Sequence, residues 1–172
     1  MQRWINLALT VCIAGLTAFV ATQHFNKPKT VYVELGKVYN DFAMKKELQT
    51  KYDAMAQSRK SILDSLELQL KLMSAQLQDD EKNVPAFQLF EAKKQEYLTK
   101  KQQFDEDNSA VSAQYNEQIT KQMTQYMEEF GKEKNYTYIY GADGSGVIMH
   151  ADKELNVTDQ AVQYLNQRYQ GK

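Results

Sequence analysis

Glycine and proline are scarce in the middle of this chain. The 172 residues contain seven glycines and two prolines, and no glycine lies between Gly36 and Gly131. Pro85, close to the midpoint of that span, is the one proline within it. Because the loops of a small α/β enzyme need such residues at short intervals, the sequence excludes that class of fold. It predicts instead two very long helices with a single break, folded back as a hairpin.

Cysteine and an excess of charge are also missing. Cys12 is the single cysteine, so the chain can form neither an intramolecular disulfide nor a cysteine cluster for zinc. The formal net charge of -1 disfavours general binding to nucleic acid. Stability must therefore come from packing or from association between copies.

No constellation of residues in the sequence supports catalysis. His24 and His150 are far apart, with no serine or cysteine placed to complete a triad. The Gly141–Gly146 loop lacks the Lys-Ser/Thr pair of a phosphate-binding loop and precedes a predicted strand instead of a helix. We therefore interpret the chain as a binding or structural protein and not an enzyme, with no catalytic, cofactor or metal residues.

The first 25 residues form a predicted membrane or export segment. Residues 4–21 contain no charged side chain and, at helical rise, are just long enough to cross a bilayer core. Arg3 precedes them, which favours a cytoplasmic amino terminus and a remainder outside the cytoplasm. Residues 1–25 are either a permanent inner-membrane anchor or a cleaved signal, and lipidation of Cys12 is a third alternative.

A helical arm is predicted over residues 37–133. Its helices cover 37–78 and 86–132, and its tip lies near 79–86, where Asn83 is the expected N-cap of the second helix. Apolar residues recur along both helices at intervals of three and four, as a coiled-coil seam requires. In the first helix this stripe is interrupted by an arginine, Arg59. Its apolar members are Val38, Phe42, Leu48, Tyr52, Met55, Ile62, Leu66, Leu70, Met73 and Leu77.

Three leucines of the arm lie off the seam. Leu68 and Leu72 are displaced by about 200–240° around the first helix from Leu66, at 100° per residue. Leu89 is displaced by about 100° from its neighbour Phe90 on the second helix. These leucines should be exposed, so they are either contacts between arms or a surface for something unfolded or membranous.

A small α+β body is predicted from residues 30–36 and 134–172. Runs of β-branched and aromatic residues predict its strands, and the last helix has a serine- or threonine-type N-cap signal. Its expected elements are strands over 30–34, 136–140 and 147–150, followed by a helix capped by Thr158.

The order and spacing of these features resemble the Skp/OmpH family of periplasmic chaperones. The resemblance covers about residues 30–170 and is firmest from Tyr138-Ile139-Tyr140 through Val147-Ile148-Met149 to Asn156-Val157-Thr158-Asp159. It implies a mainly α fold in which a long antiparallel coiled-coil hairpin projects from a small α+β oligomerisation body. It also implies a homotrimer whose arms enclose a cavity that holds unfolded outer-membrane proteins without ATP.

The resemblance assigns roles to two groups of residues. Members of the trimer body would be Val31, Val33, Ile139 and Ile148. Candidates for the surface facing the client, or a neighbouring arm, would be Leu68, Leu72 and Leu89.

Two functions are therefore expected from the sequence. The first is an ATP-independent holdase that binds unfolded outer-membrane or envelope proteins in the periplasm. The alternative is a membrane-anchored structural coiled-coil subunit of a cell-envelope assembly. Neither function requires a cofactor or a nucleic-acid partner.

Overall fold

The computed structural model describes Gly15 and residues 28–79, 83–144, 146 and 148–171. Within these residues, no helix combines the length and the apolar character that crossing a bilayer requires. The predicted anchor or signal over 1–25 lies outside the described residues, apart from Gly15.

The fold is a long helical hairpin on a small α+β base, as the sequence predicts. The two arm helices pack along each other, and the short strands and the last helix gather at the end of the arm opposite its tip. In chain order the elements are β1 (Thr30–Glu34), α1 (Leu35–Asp41), α2 (Ala43–Asp79), α3 (Val84–Glu133), β2 (Tyr138–Ala142), a 3-10 turn (Lys153–Leu155) and α4 (Thr158–Tyr169).

The first predicted helix is broken at Phe42, which corrects the prediction of one continuous helix over 37–78. Phe42 has an extended backbone between α1 and α2 and a fully buried ring. The side chain of Asn166, on α4, satisfies the backbone groups that the break leaves free. Its Oδ1 accepts from the Ala43 amide at 2.7 Å, and its Nδ2 donates to the Asp41 carbonyl at 3.1 Å.

The tip of the arm agrees with the sequence. Asn83 is the N-cap of α3, and its side chain accepts a hydrogen bond from the Ala86 amide at 3.1 Å. Pro85 stands in the first turn of α3, where the amide that proline lacks would have had no partner within the helix.

The sheet contains two parallel strands among the described residues, with β1 paired to β2. The register places Val31 opposite Ile139 and Tyr32 opposite Tyr140. The predicted strand over 147–150 is wrong for its described residues, 148–150, which adopt no strand. The other edge of β1 is occupied instead by Asn156, which bridges to Tyr32.

The hydrophobic core lies at the base of the arm. Residues of β1, α1, α2, α3 and α4 contribute to it, so the core joins the body to the first turns of the arm. Its buried members are Val31, Val33, Val38, Phe42, Leu48, Ile119, Phe130, Val157, Ala161 and Leu165.

Thr158 is the first residue of α4, which corrects its prediction as the N-cap. Its Oγ1 accepts a hydrogen bond from the Glu34 amide at 2.9 Å and donates to Oδ1 of Asn156. That oxygen also accepts from the Thr158 amide at 2.9 Å. The capping interaction therefore comes from Asn156, and the buried threonine ties α4 to the end of β1.

Candidate functional site

Large apolar side chains are exposed along the outer part of the arm. We call residues 62–79 of α2 and 84–98 of α3 the distal arm. Among the described residues of 43–61 and 99–133, which form the basal arm, none of the large apolar side chains is exposed. In the distal arm the exposed ones are Ile62, Leu68, Leu72, Val84, Phe87, Leu89 and Leu98.

The three leucines chosen from the sequence all belong to this exposed set. Leu68 and Leu72 are each 59% exposed, and Leu89 is 56% exposed. Leu68 and Leu72 lie one turn apart on α2, whereas Leu89 lies on α3 within two turns of the tip. The structure thus places one pair together and the third leucine on the other helix.

Four further exposed residues were missed by the sequence interpretation. Val84 and Phe87 belong to the first turn of α3. The N-cap at Asn83 could have predicted their exposure, because it marks the start of α3, and the seam begins only after the chain has reversed direction. Ile62 was assigned to the seam, yet it is 44% exposed while its neighbour Leu63 is half-buried. Leu98 follows the half-buried Tyr97 and is displaced from it by about 100° around α3, so its signal is the same as that of Leu89 beside Phe90.

A second stripe without charged residues runs along the outside of α2. Its members follow one another in alternating steps of four and three residues, the spacing of a coiled-coil seam. Its side chains are small at the basal end of the stripe and apolar at the distal end. In chain order it contains Ala54, Ser58, Ser61, Ser65, Leu68, Leu72 and Ala75, all exposed.

A groove of about 400 Å³ runs beside this stripe, between α2 and α3. Three of the serines line one side of it, and Glu96 and Lys100 line the other. Ile62 and Leu66 form its apolar floor and margin. The distal arm therefore offers convex apolar residues, and a shallow concave surface lies at its boundary with the basal arm.

Some of the charges on and beside the distal arm are paired locally. Nζ of Lys60 lies 2.8 Å from Asp64, and Nζ of Lys93 lies 2.7 Å from Glu96. The hydrogen bond from Lys93 lowers the pKa of Glu96, and the bond to Asp64 raises the pKa of Lys60. Each of these pairs is nearly neutral as a unit, so the four side chains add little net charge beside the exposed apolar residues.

The oligomer-body candidates lie in two different environments. Val31 and Val33 are 6% and 2% exposed and belong to the core of the single chain, with Ile139 packed against that core. Ile148 lies instead in a pocket of about 740 Å³ on the other side of the sheet, which it lines together with Tyr32 and Tyr140.

That other side of the sheet carries an aromatic surface. Thr30, Tyr32, Tyr138 and Tyr140 alternate with the buried residues of the two strands. Tyr138 and Tyr140 are 55% and 46% exposed, and their rings stack with centroids 6.0 Å apart. Met149, at the margin of the same pocket, is 88% exposed.

A long helical hairpin rising from a small parallel sheet, with an apolar surface on its distal half, defines an arm-bearing protein of mainly α class. The chain belongs to the OmpH-like outer membrane protein family, whose family model matches residues 29–165. The recognition made from the order and spacing of motifs is therefore confirmed.

A solved structure has the same fold. It is the crystal structure of an OmpH-like protein from Caulobacter crescentus, proposed there to be an outer membrane chaperone. The two superpose with a TM-score of 0.71 over 83% of this chain and 86% of the other, at 12% sequence identity. A comparison with curated proteins found no significant match.

Proposed function

We propose that this chain is an ATP-independent holdase, which binds unfolded outer-membrane or envelope proteins in the periplasm. Membership of the OmpH-like family and the fold shared with a proposed outer membrane chaperone support a chaperone role. The observation that carries the proposal is the concentration of exposed large apolar side chains on the distal arm.

Such a surface suits a client that has not yet folded. An unfolded chain exposes scattered apolar side chains, and each contact removes apolar area from water at about 25 cal/mol per Å². A single leucine contact is weak and reversible, but several contacts on one arm raise the total affinity through effective concentration. Neutral local ion pairs such as Lys60–Asp64 add little net charge beside these contacts.

An aggregation assay tests the proposal. Light scattering of an unfolded outer-membrane β-barrel protein should be suppressed by the wild-type chain at stoichiometric concentration. The variant Leu68→Ser/Leu72→Ser/Leu89→Ser should lose most of this suppression while its circular dichroism and melting temperature stay unchanged, because its mutated side chains are already exposed.

The matched control changes exposed polar residues of the same helices. The variant Gln57→Ser/Gln69→Ser/Gln88→Ser alters three exposed positions and should suppress aggregation as the wild type does. Undiminished aggregation in the presence of the wild-type chain would contradict the holdase proposal.

We also propose that the active form is a homotrimer joined through the aromatic surface of the sheet. Parallel sheets are normally covered on both faces, and two strands alone are marginal in water. One face is covered by the chain's own core at Val31 and Val33. The other, around Tyr138 and Tyr140, is exposed. A second copy of the body would cover it.

Sedimentation velocity tests the trimer. The variant Tyr138→Lys/Tyr140→Lys should sediment as a monomer, because it places two charges on the proposed interface, whereas Leu98→Lys on the distal arm should leave the trimer intact. A folded wild-type monomer at micromolar concentration would refute the trimer.

The alternative, an anchored structural coiled-coil subunit, is favoured by the outer stripe of α2. Its coiled-coil spacing from Ala54 to Ala75 is what a packed partner helix would require. A partner that copurifies in fixed stoichiometry, together with a wild-type chain inactive in the aggregation assay, would support this function. Intact mass measurement of the native protein would distinguish a retained segment over 1–25 from a cleaved one.

A further inference from the structure

The outer stripe of α2, from Ala54 to Ala75, has projecting side chains at one end and a recess at the other. Leu68 and Leu72 stand out from the helix, and each is 59% exposed. The groove of about 400 Å³ lies beside the other end of the stripe and is lined by its three serines, Ser58, Ser61 and Ser65. One helix therefore carries both a pair of projecting leucines and a recess bounded by small side chains.

An apolar side chain could cover the middle of this recess at little cost. The hydroxyl of Ser61 already donates to the Gln57 carbonyl at 3.1 Å, within its own helix. A hydroxyl that is bonded in this way need not stay in contact with water. No charged residue belongs to the stripe. It is therefore suited to pack against a helix that presents large side chains where its own are small.

A second copy of the same stripe, running antiparallel, meets this requirement. Ser65 can lie opposite Leu68 of the second copy, at the spacing by which knobs of one helix fill holes of another. In the same register Ser61 lies opposite Leu72 of the second copy, and two-fold symmetry repeats both pairs. Every leucine of the stripe then faces a serine that lines the groove. A parallel pair would instead place each leucine against itself and each serine against itself, which leaves the recess unfilled.

The charges that flank the stripe favour this register over its neighbours. Asp64 and Lys71 lie along one edge of the stripe, seven residues apart. In the register described, each Asp64 lies opposite Lys71 of the second copy, so the pair of helices gains two attractive contacts of the kind that set orientation in coiled coils. A shift by one heptad in either direction keeps the stripes in contact but brings Asp64 opposite Asp64, or Lys71 opposite Lys71. Lys71 is exposed and forms no ion pair with another described residue, so its charge is available to a second copy.

The length of the arm leaves room for this pairing. α2 ends at Asp79, and that end would stand opposite Ala54 of the second copy. Ala43, where α2 begins, lies about 16 Å further toward the base, at 1.5 Å per residue. The two bodies would therefore stay at opposite ends of the paired arms, clear of the contact.

We propose that the outer stripe of α2 is a self-docking surface, on which the same stripe of a second copy packs antiparallel and covers Leu68 and Leu72. With two leucines from each copy the contact is small, and small contacts between proteins are weak and transient. In treating the covered leucines as a client surface, the inference rests on the proposed holdase function. Arms that hold no client shield each other in this way, and a client binds by displacing the second copy.

Sedimentation velocity of charge-reversal variants tests the proposal. The full chain carries Tyr138→Lys/Tyr140→Lys as a background, unless the wild type is itself a monomer, so that a dimer reports pairing of the arms. This background should be a monomer at micromolar concentration and should dimerise toward millimolar concentration. Asp64→Lys and Lys71→Glu should each raise the dissociation constant of the dimer about tenfold, because two exposed attractive pairs become repulsive. An equimolar mixture of the two variants should recover the original affinity, since the mixed dimer again places opposite charges at both contacts.

Recovery in the mixture is specific to the antiparallel register. The matched control is Asp105→Lys mixed with Lys121→Glu, which makes the same charge changes at exposed positions of α3 and should leave the affinity unchanged, both singly and mixed. A background chain that stays monomeric at millimolar concentration would overturn the proposal. A mixture that associates no better than its two components would also overturn it, and would leave the stripe to a different partner or a different register.

Client binding gives a readout that fails independently. If Asp64→Lys dimerises less and holds more client than the background at the same high concentration, both proposals are supported. If the mixture restores the dimer but no chain holds a client, the self-docking surface stands and the holdase function falls. If the chains hold a client but never dimerise through the arms, the holdase function stands and the self-docking surface falls.

Discussion

The basal and distal arm are built from the same two helices but differ in how far their large apolar side chains are buried. In the basal arm, large side chains such as Leu48, Ile119 and Phe130 belong to the buried core. In the distal arm α2 and α3 pack against each other, and Leu68 and Phe87 remain exposed. The comparison indicates that the base holds the fold and the distal arm is free to carry a contact surface.

Polar contacts strengthen the same contrast. At the base, α4 reaches both arm helices: Tyr169 donates to Glu47 at 2.7 Å, and Arg168 is paired with Glu129. The bond from Arg168 lowers the pKa of Glu129. Long-range contacts of this kind connect elements far apart in sequence, whereas ion pairs such as Lys60–Asp64 connect neighbouring turns of one helix.

The largest expected effect on stability is at Phe42, and replacing phenylalanine by alanine both at the base and in the distal arm compares the two regions. Phe42→Ala should lower the free energy of unfolding by about 3–5 kcal/mol, because it leaves a cavity in the core and removes edge contacts with Tyr126 and Tyr169. Phe87→Ala, at a side chain 55% exposed, should change it by less than about 0.5 kcal/mol but weaken client binding. Urea unfolding measures both values, and equal losses would abolish the distinction between the regions.

An intermediate effect is expected at the break between α1 and α2. Asn166→Ala leaves the Ala43 amide and the Asp41 carbonyl without their side-chain partner, at a cost of about 1–3 kcal/mol. Hydrogen exchange should quicken around residue 43 and stay unchanged in the distal arm. Gln167→Ala, an exposed neighbour on α4, is the control. Undisturbed exchange at the break in Asn166→Ala would show that Phe42 alone maintains it.

The smallest effect is a pH dependence confined to the base. The hydrogen bond to Glu47, with burial, raises the pKa of Tyr169 to about 12 from its ordinary value of 10. The folded state therefore favours the neutral phenol. Its stabilisation should be complete below pH 10 and lost as the pH rises through about 12.

Tyr169→Phe should remove this contribution, which we expect to be about 1 kcal/mol for a single hydrogen bond. Below pH 10 the variant should be less stable than the wild type, and the difference should shrink toward pH 12. Thermal melting at several pH values measures it. A difference independent of pH would indicate that Tyr169 acts through packing on Phe42 alone.

The arm and its tip could be predicted from the sequence because their signals are local. Three signals predict these elements: the absence of glycine, the cap at Asn83 and the spacing of the seam. Each of them depends on the local sequence and not on distant residues. The exposure of Leu68, Leu72 and Leu89 could likewise be deduced from their angles around each helix. The exposure of Leu98, beside the half-buried Tyr97, follows from the same kind of angle.

The body was less predictable because its contacts are non-local. The helix break at Phe42 depends on Asn166, more than a hundred residues further along the chain. The second strand begins at Tyr138 and not at Tyr136, whose ring packs on Phe130. Asn156, and not residues 148–150, bridges to β1. None of these partners can be identified from neighbouring residues.

The parallel pairing of β1 and β2 also has a consequence for folding kinetics. Thr30 pairs with Tyr138. The pairing of β1 with β2 therefore cannot form until the helical hairpin between them has folded back on itself. Contacts between residues so far apart in sequence form late, whereas neighbouring helical turns around Asn83 can form within microseconds. The arm should therefore fold from its tip toward the base, and its apolar distal part should be in place before the body that supports it has closed.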